Sequence, residues 1–173
     1  MILELVDQDH KLLNQVLERY EFSDDPGDIG ARVDMVNNLI ETMTYKQGVG
    51  ISANQVGLPH RVFVLRSNPA LICFNPRVID TSSEKTELEE SCLTYPNLVI
   101  PVKRPKMIKV RFQDINGDVK NEKYIGMTAK IFMHQLDLLN GIHYTNKANP
   151  IHVERGRRQS KILNRQIKRL ARL

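Results

Sequence analysis

Residues 126–141, GMTAKIFMHQLDLLNG, predict the helix around which the rest of the chain is organised. Apolar side chains fall on every side of this helix, which is typical of a helix buried inside a domain. The Asn140-Gly141 pair then supplies the left-handed residue that commonly ends a helix. His134, at the centre of the stretch, is therefore expected to be buried.

The pentad HQLDL at 134–138 is half of a zinc-binding pattern. Residues four apart share one face of a helix, so a second histidine at position 138 would let two imidazoles hold one ion. Leu138 stands at that position, and Gln135 stands where the pattern has a glutamate. From the pentad alone, His134 is predicted to be a hydrogen-bonded core residue rather than a ligand.

Length and composition are those of an ordinary globular protein. The chain has 173 residues, 41% of them hydrophobic and 26% charged, which suits one domain over residues 1–173. Three acidic residues among the first nine argue against a signal peptide, and no apolar run approaches the length of a membrane span. We therefore expect a cytoplasmic protein with no membrane partner, in which Cys73, Cys92 or both are free thiols.

The net charge of +5 is concentrated at the end of the chain, where eight basic residues from Pro150 onward face a single acid. Residues 153–173 predict a helix with Leu163, Ile167 and Leu170 on one side and cations on the others. Two interpretations stay open: a solvated face on a helix docked by that apolar stripe, or a contact surface for nucleic-acid phosphates.

The middle of the chain predicts one helix followed by strands. Apolar residues recur at helical spacing from Ile29 to Met43 and predict an amphipathic helix ending near Tyr45. Strands are predicted at 61–65, 71–75, 107–112 and 119–125, the last two joined by a turn at Asn116-Gly117. We predict an α+β fold in which a mostly antiparallel sheet wraps on the helix at 126–140.

Three segments together resemble the peptide deformylase family. GVGISANQVG (48–57) is similar to the family's G-x-G-L-A-A-x-Q-x-G, ESCLTYP (90–96) to its E-G-C-L-S-x-P, and HQLDL takes the place of its H-E-x-D-H. Their order and spacing, the strands between them and the basic C-terminal helix match as well. The compact length and the opening MILELVDQDH resemble the shortened versions that bacteriophages carry.

The resemblance implies metal-dependent removal of formyl groups from N-formylmethionyl peptides. The family's ion, Fe²⁺, Zn²⁺ or Ni²⁺, is held by one Cys and two His, which correspond here to Cys92, His134 and Leu138. A metal-bound water attacks the formyl carbonyl, and the motif's Glu moves the proton. The oxyanion is held by a Gln side chain and by the backbone N–H after the Cys, roles that fall to Gln55 and Leu93.

Two replacements argue against this chemistry. Gln135 can hydrogen-bond a water but cannot accept and release its proton near neutral pH. Leu138 cannot ligate, so only two of the three protein ligands that a catalytic zinc needs remain. Asp137 and His143 stay open as substitutes for the missing third ligand, beside Cys92 and His134. We expect no cofactor unless such a substitute restores the site.

The predicted substrate-binding residues also depart from the family pattern. Gly48 and Gly50 let a ligand approach the backbone closely, whereas Ile51 begins a replacement of the family's Leu-Ala. Ser91 replaces the Gly before the Cys and adds a side chain where the substrate backbone would lie.

Three functions are compatible with the sequence and with the resemblance. The first is a deformylase-fold protein with lost or severely reduced catalysis that acts as a binding or structural module. The second is an active deformylase with an unusual third ligand, and the third is altered hydrolytic or thiol chemistry at Cys92. The resemblance implies a ribosome, RNA or nascent N-formyl peptide as partner. Without a metal, His134 needs another partner, for which Gln135, Gln55 and the Cys92 sulfur are candidates.

Overall fold

The computed structural model describes residues 1–171, and in this part of the chain two antiparallel sheets pack with three α-helices. The helices are α1 (Pro26–Tyr45), α2 (Met127–Leu139) and α3 (Pro150–Leu170). The strands are β1 (Gly50–Ser52), β2 (Val62–Leu65), β3 (Leu71–Thr81), β4 (Lys85–Cys92), β5 (Tyr95–Pro105), β6 (Met107–Gln113) and β7 (Val119–Ile125). The α+β prediction is confirmed.

One sheet has the strand order β1-β2-β3-β6-β7, and the second consists of β4 and β5. The predicted turn between β6 and β7 is present: Gly117 adopts a φ of 89°, and Asp114 Oδ1 accepts from the N–H groups of Asn116 and Asp118. β3 is longer than the sequence predicts, because its second half pairs with β6 across two register shifts.

Helix α2 packs on the five-stranded sheet. Phe132 meets Phe63 of β2 edge to face with ring centroids 5.0 Å apart, and most other apolar side chains of the helix are buried. Met127, in the first turn, is 59% exposed, so the prediction of burial on every side was wrong at that end. Gly141 ends the helix with a φ of 68°, and a Cβ there would lie 2.7 Å from the Gln15 nitrogen.

Helix α1 begins at the predicted break, where the Asp25 side chain accepts from the Gly27 N–H at 2.8 Å. Val36 and Met43 of the predicted face contact the apolar cluster, together with Leu39, which lay outside that face. Ile29 and Val33, which the periodicity assigned to the core, are 40% and 38% exposed in the first two turns. These first turns extend past the edge of the apolar cluster.

Helix α3 lies against β5 through Gly156, where a Cβ would stand 2.9 Å from the Val99 carbonyl oxygen. The predicted docking stripe is not buried: Leu163, Ile167 and Leu170 are 42%, 47% and 70% exposed. The interpretation of a helix docked by that stripe was therefore wrong, since a glycine makes the close contact. The end of the predicted helix, at 172–173, lies outside the described residues.

None of the helices within residues 1–171 combines the length and the apolar character needed to cross a membrane.

Candidate active site

Gln55 is fixed by the turn that follows β1. The segment Ala53–Val56 forms a 3-10 helix, and the backbone N–H of Ser52 donates to Gln55 Oε1 at 3.0 Å. The amide nitrogen of Gln55 therefore faces the opposite way. It lies 3.4 Å from the sulfur of Cys92 and donates to Thr94 Oγ1 at 3.0 Å.

Cys92 lies at the end of β4, where the pairing with β5 slips by three residues, from Glu90 opposite Ile100 to Cys92 opposite Tyr95. The slip brings Cys92 opposite Tyr95 and closes a tight turn through Leu93 and Thr94. Cys92 is 7% exposed, and both it and Cys73 are free thiols. The prediction of free thiols is confirmed.

Helix α2 brings His134 against the end of β4. Glu90 Oε2 lies 2.9 Å from His134 Nδ1, and Cys92 and His134 line the same pocket. Among the described residues, Glu90 is the hydrogen-bond partner of His134, rather than the expected Gln135, Gln55 or Cys92 sulfur. Glu90 was missed, because nothing in a single sequence pairs two residues that lie 44 positions apart.

Glu90 and Arg104 form an ion pair that has a further member, Asp137. Arg104 Nε and Nη2 donate to the two Glu90 oxygens at 2.5 and 2.9 Å, and Nη1 donates to Asp137 at 2.6 Å. The chain of charges runs from Asp137 through Arg104 and Glu90 to His134, in a part of the molecule that water hardly reaches. A two-pronged guanidinium contact of this kind fixes the carboxylate in one orientation.

The network shifts the ionisation of its members. Burial alone would raise the pKa of Glu90, but the hydrogen bonds and charges of His134 and Arg104 outweigh it and lower the pKa to about 2. Burial would lower the pKa of His134, but the neighbouring Cys92 and Glu90 side chains raise it to about 9 instead. Both shifts favour a negative carboxylate beside a protonated imidazole.

Leu138 occupies the third position of the ligand pattern, one helical turn from His134. Its side chain is 2% exposed and packs in an apolar cluster with Ile100, Val102 and Tyr144. A hydrocarbon side chain offers no lone pair, so the family's ligand set is incomplete at this point.

Of the two substitute ligands, Asp137 is engaged elsewhere, whereas His143 is engaged through Nδ1 only, since its Nε2 is buried with no partner among the described residues. Asp137 is paired with Arg104, and His143 Nδ1 lies 2.5 Å from Thr145 Oγ1. The His143 ring lies against Tyr95, and burial together with the charges of His134 and Arg157 lowers its pKa to about 4. Across residues 1–171, no three side chains among His, Cys, Asp and Glu are arranged to hold one ion. The donor set therefore does not fit the family's metal.

A pocket of about 360 Å³ opens above Cys92 and His134. Of the predicted site residues, Gly48, Gly50, Ser91, Leu93 and Gln135 also line it. Ile51 does not line it, because its side chain is fully buried against α1 and β2, and its role in substrate binding stays a prediction.

Gln135 has an unmet hydrogen-bonding capacity in this pocket. It is 4% exposed, and its Oε1 is buried with no partner among the described residues. Gly50 makes room for the amide, since a Cβ at position 50 would lie 3.1 Å from Gln135 Nε2. A buried acceptor without a partner costs about 1 to 3 kcal/mol, so a ligand that brings a donor would gain from this position.

The chain is similar to known proteins both in sequence and in fold. The family model described as polypeptide deformylase matches residues 2–154. Peptide deformylase from Thermotoga neapolitana is 35% identical over 116 residues, which cover 66% of this chain and 71% of the relative.

Solved structures of peptide deformylases have the same fold as this chain. A Plasmodium falciparum peptide deformylase in complex with an inhibitor has a TM-score of 0.81 at 27% identity and covers 94% of this chain and 99% of its own. The structure of the Thermotoga maritima enzyme has a TM-score of 0.81 at 28% identity and covers 87% and 99%.

Proposed function

The chain belongs to the peptide deformylase family, and from that premise we propose that it is a binding module with lost or severely reduced deformylase activity. The family as a whole is metal-dependent. The single observation that carries the proposal is Leu138, which is buried among apolar side chains where the family's second metal-binding histidine belongs.

Gln135 also supports the proposal of lost or reduced activity, because the reaction needs a side chain that can transfer a proton. The family's glutamate accepts a proton from the attacking water and returns it to the leaving amine, and a positioned general base of this kind contributes about a hundred- to ten-thousand-fold in rate. An amide cannot take either role near neutral pH. The residue at this position is inside the pocket but cannot carry a proton.

The ligand of the proposed module is an N-formylmethionyl peptide. The donors that would hold the formyl oxygen remain, because the Gln55 amide nitrogen still points at Cys92 and Leu93 still lines the pocket. The unpartnered oxygen of Gln135 can accept the N–H of the formamide. Such a peptide would be bound and kept rather than hydrolysed.

The test compares binding with turnover on the same protein. Fluorescently labelled formyl-Met-Ala-Ser should bind measurably, whereas formate release should be no faster than for Cys92→Ala. Unformylated Met-Ala-Ser is the matched control and should bind more weakly, since it offers no formyl oxygen. Formate release well above that of Cys92→Ala would contradict the proposal.

A working deformylase is the second candidate, and it is favoured by the retained geometry of Gln55, Cys92 and His134. To bind Fe²⁺, Zn²⁺ or Ni²⁺, it would need a non-standard third ligand. That ligand would be His143, after a movement of its side chain, or a second water. Turnover that disappears with a chelator and returns with added metal would favour this candidate over the first.

For the partner, we propose that α3 contacts RNA phosphates, which would suit a cytoplasmic ribosome-associated role. A groove along the helix is lined by Arg157, Arg158, Lys161 and Arg165. Cations spaced by one helical turn form one positive surface, and Glu154 is the single acid that lines the groove with them.

A salt titration of ribosome binding tests this partner. Arg157→Gln with Lys161→Gln should weaken binding and lower the slope of log affinity against log salt by about two, because each cation releases about one counterion. Lys103→Gln with Lys123→Gln removes the same charge from β5 and β7 and should leave the slope unchanged. Lack of binding even at low ionic strength would contradict an RNA partner.

A further inference from the structure

A small cleft on the five-stranded sheet contains three arginines and shares no lining residue with the pocket at Cys92. It has a volume of about 150 Å³ and is lined by Arg19, Asn75, Arg77, Arg111, Phe112, Gln113 and Val119. None of these residues is acidic. Among the ion pairs within residues 1–171, none includes Arg19, Arg77 or Arg111. The three positive charges of the cleft are therefore not compensated within the described part of the chain.

The register of β3 against β6 brings two of these arginines together. Arg77 lies directly opposite Arg111 in the antiparallel pair. The next residue, Val110, is buried in the cluster that packs against α2, so Arg111 lies on the other face of the sheet. Side chains directly opposite each other have Cβ atoms about 4.5 to 5.5 Å apart, and like charges in this position are destabilising. The pair would gain from an anion placed between the two guanidinium groups.

Neighbouring positions supply no free carboxylate to this pair. The residue opposite Arg111 on β7 is Asn121, which is neutral. Two acids on or next to the same strands are already paired at 3.1 Å, Asp80 with Lys109 and Asp114 with Lys120.

A bulge in β3 shapes the cleft and holds the segment that carries the third arginine. Between the pairs Phe74–Gln113 and Arg77–Arg111, β3 has one residue more than β6, and Asn75 adopts a φ of 49° there. Bulges of this kind bend a strand and redirect its side chains. The Asn75 side chain accepts from the Tyr20 N–H at 2.7 Å and donates to the Tyr20 carbonyl at 2.9 Å, so the segment next to Arg19 is fixed on the sheet.

Gln113 orients the Arg19 guanidinium. Arg19 Nη2 donates to Gln113 Oε1 at 3.1 Å, and Gln113 Nε2 donates to the Gly117 carbonyl at 3.0 Å. The second hydrogen bond fixes which way the amide faces, so its oxygen stays directed at the arginine. A guanidinium has five N–H donors, and this contact leaves the others for a ligand.

We propose that Arg19, Arg77 and Arg111 form a binding site for a phosphoryl group, carried by free phosphate or by a small phosphate ester. Guanidinium groups match phosphate oxygens with paired hydrogen bonds and are a preferred means of phosphate recognition. The volume of the cleft corresponds to about five water molecules, which suits one phosphate and little more. This inference is independent of the proposed function, because the two sites have no residue in common.

Calorimetric titration of the full-length protein with inorganic phosphate, at constant ionic strength, tests the site directly. We expect saturable binding of one phosphate per chain. Arg111→Gln should weaken this binding by about tenfold or more, the loss expected for a hydrogen bond between charged groups. Tighter binding of glycerol 3-phosphate than of phosphate would identify an ester as the ligand, and weaker binding would identify free phosphate. Absence of saturable binding by the wild type would overturn the proposal.

Two variants remove positive charge elsewhere and serve as matched controls. Lys123→Gln changes β7 outside the cleft, and Arg157→Gln with Lys161→Gln changes the groove along α3. Both should bind phosphate as the wild type does. A loss with Lys123→Gln as large as that with Arg111→Gln would reduce the effect to general surface charge. A loss with the α3 variant would place the anion on that helix, and either result contradicts the proposed site.

Thermal unfolding gives a second readout that also reports whether the variant folds. Without phosphate, Arg111→Gln should be at least as stable as the wild type, because it removes the like charge opposite Arg77. Phosphate at ten times its dissociation constant should raise the melting temperature of the wild type by about 3 to 6 °C and leave that of Arg111→Gln nearly unchanged. Equal rises in the two proteins, or the same rise of the wild type in chloride of equal ionic strength, would overturn the proposal.

Discussion

At the scale of single residues, Leu138 separates this protein from the pattern of its family. Cys92 and His134, which correspond to the Cys and the first His of the ligand set, line one pocket, and Gln55 points at the sulfur. The third position of the set differs by one side chain on one turn of α2.

Leu138→His should give the protein a metal site. Because the imidazole would replace a buried hydrocarbon, the metal-free variant should lose about 1 to 3 kcal/mol of unfolding free energy. Added Zn²⁺ or Ni²⁺ should then raise its melting temperature, which the wild type should not show. Leu138→Asn is the control, because asparagine is polar but a poor metal ligand. A metal-dependent rise in the melting temperature of that variant or of the wild type would contradict the role given to Leu138.

Glu90 makes the stability depend on pH in a defined window. Its pKa is about 2 in the folded protein against an ordinary value of 4.5, so the unfolded chain binds more protons between these values. The stabilisation is fully present above about pH 4.5 and is lost as the pH falls toward 2, with a total on the order of 2 to 3 kcal/mol.

Chemical denaturation between pH 6 and 2.5 measures this dependence. Glu90→Gln should be less stable than the wild type at pH 6 and should lose less stability on acidification, because no carboxylate remains to be protonated at that position. Parallel pH curves for the two proteins would contradict the role of Glu90.

The residues of the site could be predicted only in part. Short motifs identified Gln55, Cys92 and His134, because each carries a residue type that the chemistry demands. The contact of Glu90 with His134, and the pairing of Arg104 with Asp137, could not be predicted. They arise from the register of β4 against β5 and from the rotation of α2, which no local pattern specifies.

At the scale of elements, short sequence patterns predicted the structure correctly where a single turn determines it. The turn at Asn116-Gly117 and the end of α2 at Gly141 follow from residues that accept a positive φ. The packing of α3 failed as a prediction, because hydrophobic periodicity points to Leu163 and its neighbours while Gly156 makes the contact. A glycine carries no hydrophobic signal, so a close approach of backbones is invisible in such a pattern.

Two glycine substitutions test the docking of α3. Gly156→Ala places a Cβ 2.9 Å from the Val99 oxygen and should destabilise the protein by about 1 to 3 kcal/mol, despite the better helix propensity of alanine. Gly30→Ala in α1 meets nothing within 4 Å and should stabilise by up to about 1 kcal/mol. Equal stabilisation by both changes, measured by denaturant unfolding, would show that α3 does not rest on β5 at this point.

At the scale of the whole molecule, the fold of the family is present while one position of its ligand set differs. Segments 48–57, 90–96 and 134–138 meet at one pocket, and the fold matches solved peptide deformylases with TM-scores of 0.81. This convergence was predictable from the order of the three segments, since a shared fold brings equivalent segments together. The donor set at the same place lacks one ligand, and the proposed loss of activity rests on that position, because a fold does not by itself determine a function.

The most direct measurement is the metal content of the protein, purified without chelators and with oxygen excluded so that Fe²⁺ is retained. Elemental analysis should find well under one equivalent of iron, nickel and zinc together, with no difference between the wild type and Cys92→Ala. One equivalent per chain in the wild type that Cys92→Ala abolishes would contradict the account and would point to a third ligand other than Leu138.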